Sequence, residues 1–296
     1  MLTFKKIIDK LFGPKSELIF TSKIGIKVYQ LHLHSQYLKR NVLIDVYLPP
    51  HYFLDDDVTY PTLYFNDGQD MEAVNLVHVL EDLYVWEAMQ KIVVVAIHAQ
   101  NRMKEYGTAA IADYKNRGNK AAAYTDFMLK ELLPFIEMRG KCSAHAMEKA
   151  IAGFSLGGLS AMDIAWHHPD QFSKIGVFSG SFWWHEHDLP DAEIDQDRIM
   201  HRLIHRTEKT GALKMWFQAA TEDEKSDRNN NGIIDAIDDT LDLITALEEK
   251  GYRKDVDIRY VEVEGGKHHP KTWAKVLPDF LTWIFPEKRL SLLGMK

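Results

Sequence analysis

The chain has 296 residues, 46% of them apolar, and a formal net charge of −7. This length and this apolar fraction allow one large α/β domain with a sizeable core. The negative charge, without any basic stripe, argues against a nucleic-acid partner. The single cysteine, Cys142, excludes a disulfide within the chain, and this composition favours a reducing, cytoplasmic compartment.

The N-terminal segment, residues 1–15, repeats apolar side chains with a helical period. It is too highly charged for the apolar part of a secretion signal, and no small-residue cleavage motif follows it. No run in the sequence approaches the roughly 18 apolar residues that a membrane-spanning helix needs. We therefore expect a short helical extension, a single domain over residues 1–296, and no membrane span.

Two kinds of strand pattern follow along the chain. Residues 18–34 and 41–48 alternate apolar and polar side chains, which indicates antiparallel strands. Short, wholly apolar runs come next, at residues 62–65, 92–97, 149–152, 174–178 and 214–218, and a last strand is predicted at 256–263. Helix-like stretches occupy residues 73–90, 120–139, 156–167, 238–250 and 270–285.

Buried apolar runs that alternate with helices indicate a parallel sheet covered on both faces. We therefore predict an α/β fold with a mostly parallel central sheet, helices on both faces, and an antiparallel N-terminal edge.

A candidate nucleophile lies at the end of one apolar run. Ser155 stands in the frame G-x-S-x-G, between the strand that ends near Phe154 and the helix-like stretch 156–167. A strand that reverses sharply into a helix crowds its own turn, so glycines are needed two residues to either side of the serine. Such a turn lifts the hydroxyl clear of the sheet, which is the geometry that a nucleophile needs.

An acidic residue and a base follow the serine in the chain order that this kind of turn requires. Two alanines and a threonine follow the run 214–218. Directly after them comes an acidic loop, Glu222, Asp223 and Glu224. His268 and His269 follow a Gly-Gly turn after the last strand. A serine needs a base, and the base needs an acid to orient it, so this order favours a serine hydrolase.

Two backbone amides are expected to bind the oxyanion. One is that of Leu156, at the start of the helix after the serine. The other is that of Gln69, in the loop after the run 62–65, where Gly68 permits a close backbone approach.

Four motifs together resemble an esterase family that includes esterase D, enterochelin-esterase-like hydrolases, and the feruloyl and acetyl-xylan esterases. The motifs are Asp67-Gly68-Gln69, Gly153-Phe154-Ser155-Leu156-Gly157-Gly158, Ser179-Gly180-Ser181-Phe182-Trp183-Trp184 and Gly265-Gly266-Lys267-His268. The resemblance covers roughly residues 25–285 and implies an α/β-hydrolase fold and serine ester hydrolysis without a catalytic cofactor. It implies these roles: nucleophile Ser155, acid Asp223, base His268, and oxyanion donors Gln69 and Leu156.

Single-residue shifts in the two loops would fit the same pattern, so Glu222, Glu224 and His269 stay open as alternatives. The resemblance also implies that Arg102 and Glu105 shape the site as a structural ion pair.

Two tryptophans are candidates for substrate contact. Trp183 and Trp184 follow the strand 174–178, whose end lies beside the nucleophile in this fold. An aromatic ring there could stack on a sugar or an aryl group. The alternative for each ring is packing in the core.

A second constellation has the spacing of a calcium-binding loop. Counted from Asp227, oxygen-bearing side chains occupy positions 1, 3, 5, 9 and 12, position 6 is glycine, and position 7 offers a backbone carbonyl. The predicted ligands are Asp227, Asn229, Asn231, Ile233 (backbone), Asp235 and Asp238. An aspartate stands at position 12 where the full pattern has glutamate. The ion would be structural, and the alternative is a solvated turn without an ion.

The sequence thus predicts a serine carboxylesterase that acts through an acyl-enzyme on a small-molecule or glycan ester, either a carbohydrate-linked acyl group or a siderophore-type ester. Two alternatives remain. One is a thioesterase or peptidase on the same fold. The other is a non-catalytic, calcium-stabilised binding protein.

Overall fold

The structure is a computed structural model, and it describes residues 9, 11–14, 16–54, 57–209 and 211–287. Within the predicted extension 1–15, residues 9, 11 and 12 are helical. The rest of that predicted helix, residues 1–8 and 10, lies outside the described residues, as does residue 15.

Nine strands form one sheet in the order β1-β2-β3-β5-β4-β6-β7-β8-β9. They are Glu17–Thr21 (β1), Lys27–Ser35 (β2), Arg40–Leu48 (β3), Thr62–Asn66 (β4), Val93–Ile97 (β5), Lys149–Phe154 (β6), Lys174–Phe178 (β7), Lys214–Glu222 (β8) and Ile258–Lys267 (β9).

The sheet changes character along its width. The first three pairs, β1-β2, β2-β3 and β3-β5, are antiparallel. The pairs β4-β5, β4-β6, β6-β7, β7-β8 and β8-β9 are parallel. The predicted fold class is therefore confirmed, with a mostly parallel sheet and an antiparallel N-terminal edge.

Helices cover both faces of the sheet. They are Leu76–Val85 (α1), Arg102–Glu105 (α2), Ala121–Phe127 (α3), Leu133–Arg139 (α4), Leu156–His167 (α5), Asp191–Asp197 (α6), Ile199–Arg206 (α7), Asp235–Glu249 (α8) and Pro270–Ile284 (α9). A π-helical turn, Met128–Leu132, joins α3 to α4, and short 3₁₀ helices occupy Gly68–Asp70 and Ala146–Glu148. Among the helices of the described residues, none has the length and apolar character needed to cross a membrane.

The core forms two apolar layers, one on each face of the sheet. Successive residues of a strand point to opposite faces, so Leu63 and Phe65 join the layer under α1 and α9, whereas Tyr64 joins the layer under α3, α4, α5, α7 and α8. The central parallel strands are buried on both faces, which is why each reads as an unbroken apolar run.

Several boundaries differ from the sequence prediction. The helix predicted at 73–90 spans Leu76–Val85, and the strand predicted at 256–263 spans Ile258–Lys267. The alternating stretch 18–34 is divided into β1 and β2 by a turn in which Ser22 N donates to Ile26 O at 2.8 Å. The register of this hairpin also shifts between Leu18 and Phe20. The helix predicted at 238–250 begins three residues earlier, at Asp235, inside the predicted calcium loop.

Six parallel strands, β4 to β9, end at the same edge of the sheet. The loops after β4, β6, β7, β8 and β9 carry, respectively, Asp67, Ser155, Ser179, Asp223 and His268. Ligand sites of open α/β sheets lie outside the carboxyl ends of the strands, so this edge is the candidate site.

Candidate active site

Ser155 occupies a strained turn between β6 and α5. Its backbone has φ 54° and ψ −119°, a conformation that residues other than glycine rarely adopt. The turn is held by two backbone hydrogen bonds, from Ser155 N to Phe178 O at 2.8 Å and from Gly158 N to Ser155 O at 3.0 Å. Strain of this kind persists only where the surrounding structure imposes it, and it marks functional positions.

The glycines around Ser155 are required by close packing. A Cβ atom on Gly153 would overlap the carbonyl group of Gly157. A Cβ on Gly157 would lie 2.6 Å from Asp67 Oδ2, in the loop after β4. The G-x-S-x-G frame therefore reflects two contacts, one within the turn and one between the turn and a neighbouring loop.

Asp223 is a buried carboxylate beside this turn. Its side chain has no exposed surface, and it accepts hydrogen bonds from Ala220 N at 2.9 Å and Ser179 Oγ at 3.2 Å. Burial raises the pKa of Asp223, and these hydrogen bonds together with His268 oppose the rise. Ser179 is held in turn by the indole N–H of Trp273 at 3.0 Å.

His268 faces Asp223 across a short gap. Its Nδ1 lies 3.7 Å from Asp223 Oδ1, which is longer than a hydrogen bond, and 38% of its side chain is exposed. Partial burial lowers the pKa of His268, Asp223 raises it, and the positive charge of Arg102 lowers it further. The balance lies below the ordinary histidine value, which favours a neutral imidazole near pH 7.

The remaining candidates for acid and base have other partners. Glu222 is exposed and lies 3.7 Å from Lys267 Nζ. His269 begins α9, where its Nδ1 accepts a hydrogen bond from Lys271 N at 3.1 Å. Glu224 lines a cavity together with Trp183 and Arg228. Of the predicted pairs, the geometry brings together Asp223 and His268.

Ser155 Oγ contacts a residue that the sequence analysis did not single out. In the described part of the chain its hydrogen-bond partner is Ser181 Oγ, at 3.2 Å. Ser181 stands in the Ser-Gly-Ser motif after β7, and its proximity to Ser155 follows from the pairing of β6 with β7. The strand order therefore was the signal that could have identified it.

The two predicted oxyanion donors lie in first turns of helices, where N–H groups have no acceptor within the helix. Gln69 is in the 3₁₀ helix Gly68–Asp70 after β4, and Leu156 begins α5 after β6. The two strands are hydrogen-bonded neighbours in register, with Phe65 opposite Ala152. Both amides therefore belong to adjacent loops at the same edge of the sheet.

Arg102 is at the site, but its ionic partner is not the predicted one. Its guanidinium pairs with Asp67, with Nε 2.6 Å from Oδ1 and Nη2 3.0 Å from Oδ2. Glu105 pairs instead with Arg40, at 2.6 Å. The expected Arg102–Glu105 pair is wrong, because each of the two side chains is taken up by a partner from outside the helix.

The two tryptophans have different environments. Trp184 is fully buried, packed so closely that a Cβ on Gly118 would lie 3.2 Å from its ring. Its predicted contact with substrate is wrong, because the ring belongs to the core. Trp183 is half-buried and lines a cavity of about 340 Å³ together with Glu224 and Arg228.

The predicted calcium loop is compact. Asp227 accepts hydrogen bonds from Asn231 N at 3.1 Å and Gly232 N at 3.0 Å. The side chains of Asn229 and Asn231 both reach Asp238 Oδ2, each at 2.8 Å. Four of the predicted ligand side chains therefore converge.

The position-9 residue of this loop, Asp235, is engaged elsewhere. Its carboxylate accepts a hydrogen bond from Arg228 N at 2.9 Å and lies 3.4 Å from the Arg228 guanidinium. Ile233, the predicted carbonyl ligand, donates its N–H to Asn231 Oδ1 at 2.8 Å.

A separate group of ligand-type side chains, Glu186, His187 and Asp197, has atoms within 4.8 Å of one another. Arg202 bridges it, with Nη2 2.7 Å from Glu186 and Nη1 2.5 Å from Asp197. The arginine already supplies the positive charge that these carboxylates need, so the group is a salt-bridge network.

Comparison with known proteins identifies the class. The family described as "Putative esterase" matches residues 35–284 of this chain. The chain therefore belongs to this esterase family, and the class that its fold and family define is that of the carboxylic ester hydrolases.

Individual relatives vary in how much they share. The "Uncharacterized protein YbbA" of Bacillus subtilis (strain 168) is 25% identical over 262 residues, which is 87% of this chain and 98% of that protein. The "Iron(III) enterobactin esterase" of Escherichia coli (strain K12) is 36% identical over 75 residues, 24% of this chain and 19% of that protein. The stretch shared with the enterobactin esterase is thus a small part of either protein.

Solved structures share the fold at low identity. A ferulic acid esterase has a TM-score of 0.67 at 18% identity, covering 88% of this chain and 98% of that one. The enterobactin esterase FES from Shigella flexneri, in the presence of enterobactin, has a TM-score of 0.68 at 20% identity, covering 89% of this chain and 59% of that one. At these identities the likeness shows the fold alone.

Proposed function

We propose that this protein hydrolyses esters through Ser155, His268 and Asp223. The observation that carries the proposal is the strained turn that presents Ser155 at the sheet edge where His268 faces the buried carboxylate of Asp223. The serine Oγ attacks the ester carbonyl carbon, and His268 accepts the hydroxyl proton. The amides of Gln69 and Leu156 bind the resulting oxyanion.

Collapse of this intermediate breaks the bond to the alcohol. His268 returns its proton to the departing alkoxide, and an acyl-enzyme remains on Ser155. Water then attacks the acyl carbon and gives a proton to His268. The bond from the acyl carbon to Ser155 Oγ breaks as His268 returns that proton to the serine, and the carboxylic acid leaves. Because Nδ1 of His268 faces Asp223, the proton transfers use Nε2, and Asp223 stabilises the imidazolium.

The proposed substrate is a siderophore-type or carbohydrate-linked ester. The ferulic acid esterase and the enterobactin esterase among its relatives support an ester with an aryl or polyhydroxylated part. Residues of the loops at this edge line two cavities. The cavity of about 340 Å³ contains Trp183, and a second, of about 520 Å³, contains Gln69 and His98. Trp183 is the aromatic side chain proposed to contact the substrate. The guanidinium of Arg102, which the sequence also suggested as a substrate contact, is instead engaged by Asp67 and by the carbonyl oxygen of Phe154.

Labelling tests the nucleophile directly. A fluorophosphonate should modify the wild-type protein once, at Ser155, and leave Ser155→Ala unmodified; peptide mass spectrometry locates the adduct. Ser181→Ala is the matched control, because it removes the neighbouring hydroxyl at 3.2 Å and should keep the labelling. Labelling at any other serine would overturn the assignment.

A substrate panel separates the esterase from its alternatives on the same fold. Acetyl, feruloyl and siderophore esters should be cleaved with higher kcat/KM than matched thioesters and peptides. A preference for the thioester would reassign the enzyme as a thioesterase, and one for the peptide as a peptidase. Family membership sets aside the third expectation, a non-catalytic binding protein.

We also propose that the loop from Asp227 to Asp238 binds one structural Ca²⁺. Asp227, Asn229, Asn231 and Asp238 supply converging oxygen-bearing side chains, which suits a hard cation. Ile233 would contribute its backbone carbonyl oxygen. Asp235 would be a further ligand from its position beside Arg228. The ion would steady the segment that follows Asp223 and would take no part in the reaction.

A further inference from the structure

A buried carboxylate stands between the two proposed oxyanion donors. Asp67 follows β4, its side chain is fully buried, and its Oδ1 accepts hydrogen bonds from Arg102 Nε at 2.6 Å and Gln69 Nε2 at 2.8 Å. Its Oδ2 is so close to the start of α5 that a Cβ on Gly157 would lie 2.6 Å away. One carboxylate therefore contacts both the loop of Gln69 and the helix that begins at Leu156.

Arg102 extends this contact to the strand of the nucleophile. Its Nη2 donates to Asp67 Oδ2 at 3.0 Å and to the carbonyl oxygen of Phe154, the residue before Ser155, at 3.3 Å. A guanidinium is a rigid planar fork, so two parallel hydrogen bonds to one carboxylate fix both its position and its plane. The pair ties the loop after β4 to the end of β6.

The backbone of this loop is held in a conformation that needs support. Asp67 has φ 65° and ψ 51°, the left-handed region, and its N–H donates to the buried hydroxyl of Tyr106 at 2.9 Å. The neighbouring Asn66 donates to Gly157 O at 2.7 Å and accepts from Tyr124 at 2.6 Å. A strained non-glycine residue that is fixed from several sides indicates a functional constraint.

We propose that the Asp67–Arg102 pair is a positioning device that sets the distance between the Gln69 and Leu156 amides. This inference rests on the proposed serine mechanism. An oxyanion hole works only if both donors reach the position that the oxygen occupies in the transition state. Losing the fork would leave substrate binding largely intact and weaken the transition state.

Arg102→Lys isolates the geometry of the pair. Lysine keeps the positive charge but cannot form the bidentate fork. Because removing a whole oxyanion donor costs about 10²–10³-fold in kcat, we expect a loss of roughly 10–100-fold with KM nearly unchanged. Affinity for a trifluoromethyl ketone, whose tetrahedral adduct carries the oxyanion, should fall by the same factor as kcat/KM.

Arg102→Met removes the charge as well and adds a pH signature. The charged groups whose fields act on His268 are Asp223 and Arg102, and Arg102 lowers the pKa of His268. Without the guanidinium this pKa rises, so the acidic limb of kcat/KM should move to higher pH in Arg102→Met and stay in place in Arg102→Lys. A merely structural role would not separate the two variants.

Arg40→Lys is the matched control. It breaks a similar bidentate pair, with Glu105 on the same short helix. Among the described residues, the other side-chain hydrogen bonds of this pair join Asn41, His98 and Gln100, which lie outside the loop of Gln69. The kcat of Arg40→Lys should remain near wild type. If an Arg102 variant fails to fold, the same kinetic measurements are made on Asp67→Asn. Asparagine keeps the shape of the aspartate side chain but removes its negative charge.

Wild-type kcat in Arg102→Lys, or an equal loss in Arg40→Lys, would overturn the positioning role. Ser155→Ala separates this result from a failure of the mechanism. If Ser155→Ala is inactive while Arg102→Lys is fully active, only the positioning inference fails. If Ser155→Ala is active, the serine mechanism itself is wrong.

Discussion

The two halves of the site differ in how firmly they are held. On the oxyanion side, Asp67 is fully buried and its hydrogen bonds to Arg102 and Gln69 measure between 2.6 and 3.0 Å. On the proton-transfer side, His268 is partly exposed and stands 3.7 Å from Asp223. The groups proposed to position the oxyanion donors are thus fixed in advance, whereas we expect the proposed base to complete its contacts when substrate binds.

The largest expected effect comes from removing the reacting groups on either side. Ser155→Ala and His268→Ala should each lower kcat by about 10⁴-fold or more, with small changes in Tm. Asp223→Asn should cost less, because the serine and the histidine still act as a pair. Steady-state kinetics on a short p-nitrophenyl ester measures all three.

The control on the proton-transfer side is His269→Ala, which removes the side-chain cap of α9. It should cost about 1 kcal/mol of stability and leave kcat near wild type. A large loss of kcat there, with His268→Ala mild, would move the base by one residue.

A substitution that crowds the oxyanion side of the site should give the next largest fall in kcat. The added Cβ of Gly157→Ala meets Asp67 Oδ2, so the variant displaces the carboxylate that positions the Gln69 loop. Because a misplacement of about 1 Å costs roughly 10²-fold, kcat should fall by about that factor. Gly251→Ala is the control. Gly251 has a positive φ of 85°, but the space that an added Cβ would occupy is open, so this variant should lose stability and keep its kcat. Equal kcat values in the two variants would contradict the contrast between the halves.

The pH dependence of kcat/KM tests the proton-transfer side of the site. The base must be neutral to accept the serine proton, so kcat/KM on a neutral ester rises as the pH passes upward through the pKa of His268 and then levels. Burial and Arg102 lower this pKa, which puts the midpoint below the ordinary histidine value of 6.5. Asp223 raises it, so Asp223→Asn should move the midpoint to still lower pH. A midpoint that moves upward in that variant would show that Asp223 is not the partner of His268.

The smallest effect on activity is expected from the calcium loop. Calcium at about 100 times its Kd would stabilise the fold by about 2.7 kcal/mol, which for a domain of this size raises Tm by several degrees. Asp227→Ala should abolish the shift, magnesium should give much less of it, and Asp188→Ala, an exposed carboxylate elsewhere, should retain it. Chelation should lower kcat only in part. An unchanged Tm in calcium, with no anomalous density in the loop of calcium-soaked crystals, would remove the proposed ion.

The sequence predicts most of the fold because its central strands are buried on both faces and read as unbroken apolar runs. It also predicts Ser155, because the steric demands of the turn require glycine at Gly153 and Gly157. Both inferences depend on local rules, which leave a direct trace in the order of residues. The chain order of Asp223 and His268 then follows from the topology.

The errors arise where distant contacts decide. Arg102 is three residues along the helix from Glu105, the partner it does not use, and 35 residues from Asp67, the partner it does use. Trp183 and Trp184 are adjacent in sequence, yet Trp184 is buried by packing against Gly118, which no local pattern reveals. Such partners are set by the way in which separate loops meet in the fold, and this becomes visible only in three dimensions.

The register shift in β1 has a consequence for the behaviour of the protein in concentrated solution. β1 is an outer strand of the sheet, and Leu18, Ile19 and Phe20 are each 49% exposed. An open edge with such side chains is a template for adding a strand from another molecule. The irregularity between Leu18 and Phe20 interrupts the ladder within this five-residue strand. Bulges of this kind are one of the features by which natural proteins limit pairing of an exposed edge strand with another molecule. We therefore expect the irregularity in β1 to oppose self-association through this edge.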